Sequence, residues 1–298
     1  MVRLSFIILH YKKYEDTFQC VKSINKANLH ENNVVIIVDN GSGNDSGERL
    51  RKEYKDNKEI HVLTNSQNLG FAKGLNVGIE YSRKLFPNNF VVLLNSDTEI
   101  ISGNWNEVIS HKYDKYQFHV MGPDILNLDG ITHGNPRKTK KYNLLTINYM
   151  LWIKYIELIL LYLHIDIIEI YIKMKNWLSS KVIKERSDKI NNDLINVELQ
   201  GSCLILSSSY LDKYNGLNDQ TFLYFEEAIL KYIAERDGLV MLYTPDISIL
   251  HKEYGSTMQV VSSSWERKMF IMRHGIKSRK VMRSLIYKDL LSINKSEG

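Results

Sequence analysis

Carboxylates at the ends of apolar runs are the residues of this sequence best suited to chemistry. Residues 91–99 read Val-Val-Leu-Leu-Asn-Ser-Asp-Thr-Glu, a buried-strand pattern that delivers Asp97 to the mouth of a sheet, with Asn95 and Ser96 just before it. One carboxylate together with two phosphate oxygens can hold a hard, octahedral divalent ion such as Mg2+ or Mn2+. Such an ion spreads the charge that builds on a departing nucleoside diphosphate. A strand-end Asp also serves as a plain turn or helix cap, and this segment alone leaves both readings open.

Four further clusters have the same character. Asp39-Asn40-Gly41-Ser42 follows the apolar run 34–38 and is either a turn or an acceptor for a base N–H or ribose hydroxyl. Residues 68–76, Asn-Leu-Gly-Phe-Ala-Lys-Gly-Leu-Asn, open a helix at Gly70, where backbone can come close to a ligand and the helix start favours anions. That stretch, which includes Lys73 and Asn76, fits neither the dinucleotide fingerprint nor the P-loop. Glu226 and Glu227 stand at a predicted helix start, where acids also simply complement the dipole. Adjacent helical residues point about 100° apart, so at most one of them reaches a shared substrate. His251 follows the apolar run 247–250, where a histidine is either structural or a metal ligand.

The elements that must position these groups alternate. Apolar runs at 4–9, 34–38, 60–63 and 90–94 predict strands, and the patterns at 15–27, 47–55 and 70–85 predict helices. Strands separated by helices imply parallel pairing with crossovers, and ligands then sit beyond the carboxyl ends of the strands. His10-Tyr11, Asp39-Asn40, Asn65 to Asn68 and Asn95 to Asp97 all fall at such ends. Later, 200–206 and 239–243 read as strands and 225–236 as a helix. Tyr142 to Trp177 is dense in Ile, Leu, Tyr and Trp, interrupted by Lys154, Glu157, His164, Asp166 and Glu169. It reads as amphipathic helices that either cap the core or lie in a membrane interface, and no stretch reaches about 18 uncharged apolar residues.

The bulk numbers are those of a globular protein: 298 residues, 44% hydrophobic and 24% charged. A net charge of +5 suits phosphate-bearing ligands or an anionic membrane face and is too weak to argue for nucleic acid. Cys20 and Cys203 make neither a disulfide framework nor a zinc spacing, which points to a reducing, cytoplasmic setting. The apolar start lacks a cleavage pattern and reads as the first strand.

Taken together and in this order, these segments resemble the inverting glycosyltransferases of family 2, most of all the rhamnosyltransferase-like branch that builds bacterial surface polysaccharides. The resemblance covers about residues 3–100 and 199–257 and rests on 39–42, 68–76, 95–97, Glu226-Glu227 and His251. It implies an α/β fold of GT-A type, a Rossmann-like, mostly parallel sheet with helices on both faces and added C-terminal helices. The catalytic domain would run from 1 to 257, with a nucleotide-sugar half (1–100), an acceptor half (101–257) carrying a helical insertion near 142–180, and a helical tail (258–298). The resemblance further implies that Asp97 and His251 hold Mn2+ or Mg2+ and that Glu227 is the catalytic base. Candidate substrate contacts are His10, Tyr11, Asp39, Asn40, Asn68, Gly70, Lys73, Asn76, Asn95, Ser96, Gly201 and Glu226. Implied partners are a UDP or dTDP sugar and a saccharide acceptor, polyprenyl-diphosphate-linked, with peripheral contact at the inner face of the plasma membrane and room for a homodimer. The setting would be capsule or cell-surface polysaccharide synthesis.

Three departures stand against the family pattern. Asn95 replaces the first Asp of the metal motif, Glu227 replaces Asp, and Ile229 and Ile233 stand where an acid and an Arg are usual. Two rival readings follow. A sugar nucleotidyltransferase would need a Gly-rich basic loop after the first strand, where this chain reads His10-Tyr11-Lys12-Lys13. A non-catalytic partner subunit would keep the fold without turnover, and donor hydrolysis separates it from an enzyme.

Overall fold

A computed structural model describes residues 2–27, 32–138, 140–163, 189–252 and 264–296. The first half is built as the apolar runs require. Strands β1 (Leu4–His10), β2 (Val34–Asp39), β3 (Ile60–Thr64) and β4 (Phe90–Asn95) pair in parallel in the order β3-β2-β1-β4. Helices α1 (Tyr14–Lys26), α2 (Ser46–Glu53) and α3 (Phe71–Leu85) make the crossovers. Strand β1 is flanked by β2 and β4, and that reversal of order leaves a crevice at its carboxyl end.

Alternation along the strands gives the sheet two buried faces. Phe6, Ile8, Val35, Ile37, Val92 and Leu94 pack one way, against Cys20, Val21 and Ile24 of α1 and Leu50 of α2. Ile7, Ile36, Val38, Val91 and Leu93 pack the other way, against Ala72, Leu75 and Ile79 of α3. Helix α3 lies close because two of its glycines leave room. A Cβ on Gly74 would stand 2.6 Å from Leu9 Cδ1, and one on Gly78 2.5 Å from Ile7 Cγ2.

The second half continues the same sheet with mixed pairing. It adds β5 (Thr98–Ser102), α4 (Trp105–Tyr116), β6 (Val120–Asn127), α5 (Leu144–Tyr162), β7 (Leu194–Ile195), β8 (Cys203–Leu206) and α6 (Ser208–Lys213). Helix α7 (Glu226–Arg236), β9 (Met241–His251) and α8 (Ser264–Ser296) complete it. The described strands form one nine-stranded sheet in the order β3-β2-β1-β4-β8-β6-β9-β5, with β7 on β9. Strand β8 is antiparallel to β4 and β6, β6 is parallel to β9, and β5 is antiparallel to β9.

Helices α5 and α8 pack on each other and on α7. Ile147, Ile229, Ile233, Met282 and Ile286 form one buried cluster, and Leu151, Met272 and Ile276 a second. The two isoleucines that depart from the family pattern therefore anchor the terminal helix. By length and composition, α5, 19 residues long, is apolar enough to cross a membrane, with mean hydropathy 1.5 over an 18-residue window. The helix carries two charges, Lys154 and Glu157, which pair with each other one turn apart. A single helix of this kind is weak evidence of spanning. The remainder of the predicted helical stretch, 164–177, lies outside the described residues.

Both thiols are buried and free, and burial pushes Cys20 up to about 12. A thiol reagent should leave both unmodified in the native protein and titrate two after denaturation. Rapid native labelling of either one would place it nearer the surface than the core packing allows.

Candidate active site

The site opens where β4 ends. Asn95 closes the strand, Ser96 and Asp97 turn, and Thr98 starts β5. The Thr98 hydroxyl donates to the Asn95 carbonyl at 2.7 Å, which tightens this turn. In the β5–β9 ladder Thr98 lies directly opposite His251. That register sets His251 Nε2 3.5 Å from Asp97 Oδ1 and lets the Asp97 carbonyl accept from Lys252 N at 2.9 Å. Both side chains are largely shielded from solvent. His251 Nδ1 is buried with no hydrogen-bond partner. The Asp97 carboxylate and the His251 Nε2 that faces it form a donor pair that suits a divalent cation, with a substrate's phosphate oxygens and water completing its shell. No group of three acidic, histidine or cysteine side chains occurs among the described residues, so these two would have to share the ion with substrate.

The carboxylate pair comes from α7. The two residues before it, Tyr224 and Phe225, both hold left-handed backbone, at φ 70° and 75°. Such a conformation costs about 1–2 kcal/mol for each non-glycine residue, and packing from outside the turn holds it. The Phe225 ring meets Tyr142 edge-on at 5.7 Å, the Arg279 guanidinium lies over it at 4.7 Å, and Ser278 Oγ donates to the Leu223 carbonyl at 2.8 Å. Glu227 Oε1 accepts from Gly201 N at 3.2 Å and faces Arg137 Nη1 at 3.5 Å. A Cβ on Gly201 would come within 3.0 Å of that same oxygen, so glycine leaves room for the carboxylate. Glu226 accepts from Thr221 Oγ1 at 3.2 Å. Burial first, and the charge of Glu227 second, push the Glu226 pKa up to about 7.

These groups share one cleft of about 640 Å3. Its walls include Tyr11, Asn95, Ser96, Asp97, Gly201, Glu226, Glu227 and His251, joined by Arg137 and Arg279. Eight of the residues singled out in the sequence thus converge, and two arginines were missed. Arg137 sits in a turn-rich stretch, His-Gly-Asn-Pro-Arg, whose only signal was turn chemistry. Arg279 falls within the helical tail, 258–298, yet it turns into the cleft while Lys277, Lys280 and Arg283 remain exposed.

Other candidates hold the scaffold. His10 is fully buried, with Nδ1 2.7 Å from Thr17 Oγ1 and Nε2 2.8 Å from Ser46 Oγ. Burial takes its pKa down to about 4, against the pull of Asp39. The expectation that His10 touches substrate is therefore corrected, because both ring nitrogens are engaged inside the protein. Asn40 is likewise spent, bonding Asn65, Asn68 and the backbone at Leu69 and Gly70. Asn68 Oδ1 receives Gly70 N at 2.9 Å. Gly70, at φ 87°, brings α3 against the protein's own chain rather than a ligand: a Cβ there would lie 2.4 Å from the Phe222 carbonyl. Asn76 grips both backbone groups of Leu217, away from the cleft, and Lys73 is exposed. Asp39 is buried, its Oδ1 receiving Ser42 N at 3.1 Å and Ser42 Oγ at 2.5 Å, and its Oδ2 lying against Gly47.

A parallel half-sheet with its crevice beside β1 and β4, continued by mixed strands that close an acid-lined cleft, defines a glycosyltransferase of GT-A fold. The chain belongs to glycosyl transferase family 2, whose model matches residues 5–161. A hexosyltransferase of low-salt glycan biosynthesis from Haloferax volcanii, Agl10, is 24% identical over 251 residues, which is 84% of this chain and 67% of that protein. Among solved structures, GalNAc-T7 with UDP, GalNAc and Mn2+ aligns at TM-score 0.55 and 12% identity, covering 91% of this chain and 48% of that one. S. aureus TarS in complex with UDP aligns at TM-score 0.50 and 13% identity, covering 84% of this chain. The chain spans 60% of the TarS chain, and at these identities the structural likeness concerns the fold alone.

The shifted carboxyl of Glu226 makes stability depend on pH. The folded protein keeps this proton up to about pH 7, whereas the unfolded chain releases it near 4.5. Between those values the folded state binds more protons, so the contribution of Glu226 falls as pH rises through the window. Glu226→Gln should match wild type in Tm below that window and exceed it at pH 8. Parallel Tm curves at every pH would show that Glu226 is not held protonated.

Proposed function

We propose that this chain transfers a hexosyl or deoxyhexosyl group from a UDP or dTDP sugar to a hydroxyl of a saccharide acceptor, with inversion. The observation that carries the proposal is the convergence of Asp97, His251 and the Glu226-Glu227 pair on one cleft at the carboxyl end of β4. The fold shared with UDP complexes of TarS and GalNAc-T7 supports a nucleotide donor, and the relative from Haloferax volcanii supports a hexosyl group.

Glu227 takes the proton of the acceptor hydroxyl as that oxygen attacks the anomeric carbon and the diphosphate leaves from the opposite face. Gly201 N and Arg137 hold its Oε1 in place, which keeps the base from swinging away from the reacting oxygen. Glu226, half-protonated near neutrality, can donate or accept a hydrogen bond at an acceptor hydroxyl. Mn2+ or Mg2+ bound through Asp97 and His251 would supply Lewis-acid stabilisation of the leaving diphosphate. Glu226 also supports a second reading, because a pKa of about 7 suits a general base working near neutral pH.

Paired substitutions decide between the two. Glu227→Gln should lower kcat by about 10^2–10^4 with donor affinity nearly unchanged. Glu226→Gln should be milder, and Asp97→Ala should weaken donor binding in Mn2+ and abolish transfer. Single-turnover rates at saturating donor assign the base to Glu226 if that variant is the dead one. If donor affinity ignores both Mn2+ and Asp97, the metal role fails.

A lipid-linked acceptor in bacterial surface-polysaccharide synthesis, met at the inner face of the plasma membrane, completes the proposal. The outer face of α5 supports it. Leu145 (83% exposed), Tyr149 (62%), Trp152 (62%) and Ile159 (58%) form an apolar, aromatic stripe at helical spacing. Lys277, Lys280 and Arg283 of the adjoining α8 supply positive charge for anionic headgroups. The protein should pellet with anionic liposomes at low salt, and Trp152→Glu should reduce the pelleted fraction severalfold. Equal pelleting of variant and wild type would move the contact off α5.

A further inference from the structure

Arg279 lines the cleft with no carboxylate in a direct ion pair among the described residues, and Glu157 acts on it only through space. Arg279 stands on α8 with its guanidinium over Phe225, the residue next to the Glu226-Glu227 pair. Its Nη1 donates to the Gly275 carbonyl at 2.9 Å, which fixes the direction of the fork. Its Nε is buried without a hydrogen-bond partner. Among the described residues no carboxylate lies within ion-pair distance of it. The contrast with Arg236 on α7 is direct, since Arg236 is held by both Asp237 and Asp289. Arg137, 42% exposed, lines the same cleft.

A guanidinium drawn out of water without a direct ion pair is unfavourable. Burial accordingly lowers its pKa, against the pull of Glu157. The cost is removed by a ligand that brings negative charge and at least two oxygens to a planar fork, and phosphate has that geometry. The stacking on Phe225 and the bond to Gly275 hold the fork before any ligand arrives, so little side-chain entropy remains to be lost.

We propose that Arg279, assisted by Arg137, is a receptor for a phosphoryl or diphosphate group of a substrate in this cleft. The inference rests on the transferase reading of the site. Two sources share the chemistry: the diphosphate of the nucleotide donor, and the diphosphate that joins an acceptor saccharide to its carrier. Position favours the acceptor. Arg279 belongs to the α7–α8 wall and not to the β4–β5 turn of Asp97, and α8 packs along α5, the helix with the exposed aromatic stripe. An acceptor whose carrier lies against that stripe would present its diphosphate to Arg279 with its sugar near the carboxylate pair.

The test is a binding measurement, independent of turnover. Inorganic diphosphate is titrated by calorimetry into wild type, Arg279→Gln, Arg279→Lys and Arg137→Gln, in EDTA so that no divalent ion contributes. Wild type should bind. Arg279→Gln should weaken Kd at least tenfold, Arg279→Lys should fall between the two because charge remains without the fork, and Arg137→Gln should weaken it less. UDP titrated with Mn2+ then separates the sources: an affinity within twofold of wild type in Arg279→Gln assigns the receptor to the acceptor, and a parallel loss assigns it to the donor. Circular dichroism and Tm confirm folding of each variant, and Arg279→Lys serves if Arg279→Gln does not fold. Absence of diphosphate binding by wild type, or equal binding by all variants, overturns the proposal. Diphosphate binding lost in Arg279→Gln by a protein that transfers no sugar would instead sink the transferase reading and leave the receptor standing.

Discussion

The pairing of Thr98 with His251 is the constraint on which the site depends. Asp97 belongs to the turn after a parallel strand of the first half, and His251 ends the last strand of the second half. Nothing local brings them together. The antiparallel ladder of β5 on β9 does so, and side chains alternate faces along a strand, so a slip of one residue would turn His251 to the other side of the sheet. The ladder is reinforced away from the site, where Ser102 and Ser248 hydroxyls meet at 2.5 Å and the Lys252 ammonium reaches Glu99 at 2.5 Å.

The opposite wall is organised by packing against α8. Two consecutive left-handed residues, Tyr224 and Phe225, aim the helix that starts with Glu226, and an isolated segment would relax out of that backbone. Ser278 and Arg279 hold the turn from one side and Tyr142 from another. Ile229 and Ile233 belong to the same arrangement: positions that carry polar groups in the family pattern are here the apolar seat of the terminal helix. The orientation of the carboxylates thus depends on residues about 50 positions later in the chain.

Much of this was legible in the sequence, for identifiable reasons. Strands β1 to β4 are continuous apolar runs with turn residues behind them, so their parallel pairing, their burial and the delivery of Asp39 and Asp97 to strand ends could be read directly. The Glu226-Glu227 pair was legible as a helix start. What could not be read was how each polar side chain spends its hydrogen bonds. His10 and Asn76 have the residue type of a ligand contact, yet Thr17, Ser46 and Leu217, which occupy them, become neighbours only on folding. Arginine is harder still. In a turn or a basic tail its charge looks like surface, and only the packed helix shows that Arg279 faces inward.

One feature of the sheet sets how the molecule can move. Its two halves are not separate lobes; β8 is hydrogen-bonded to β4 of the first half and to β6 of the second, so the ladder runs unbroken from β3 to β5. A clamshell needs a flexible crease between rigid shells, and a continuous ladder has none. Movement of one half of the sheet against the other is therefore opposed by the hydrogen bonds of β8. The same continuity makes the two halves mechanically one body, expected to yield together under denaturant and to transmit strain across the full width of the plate.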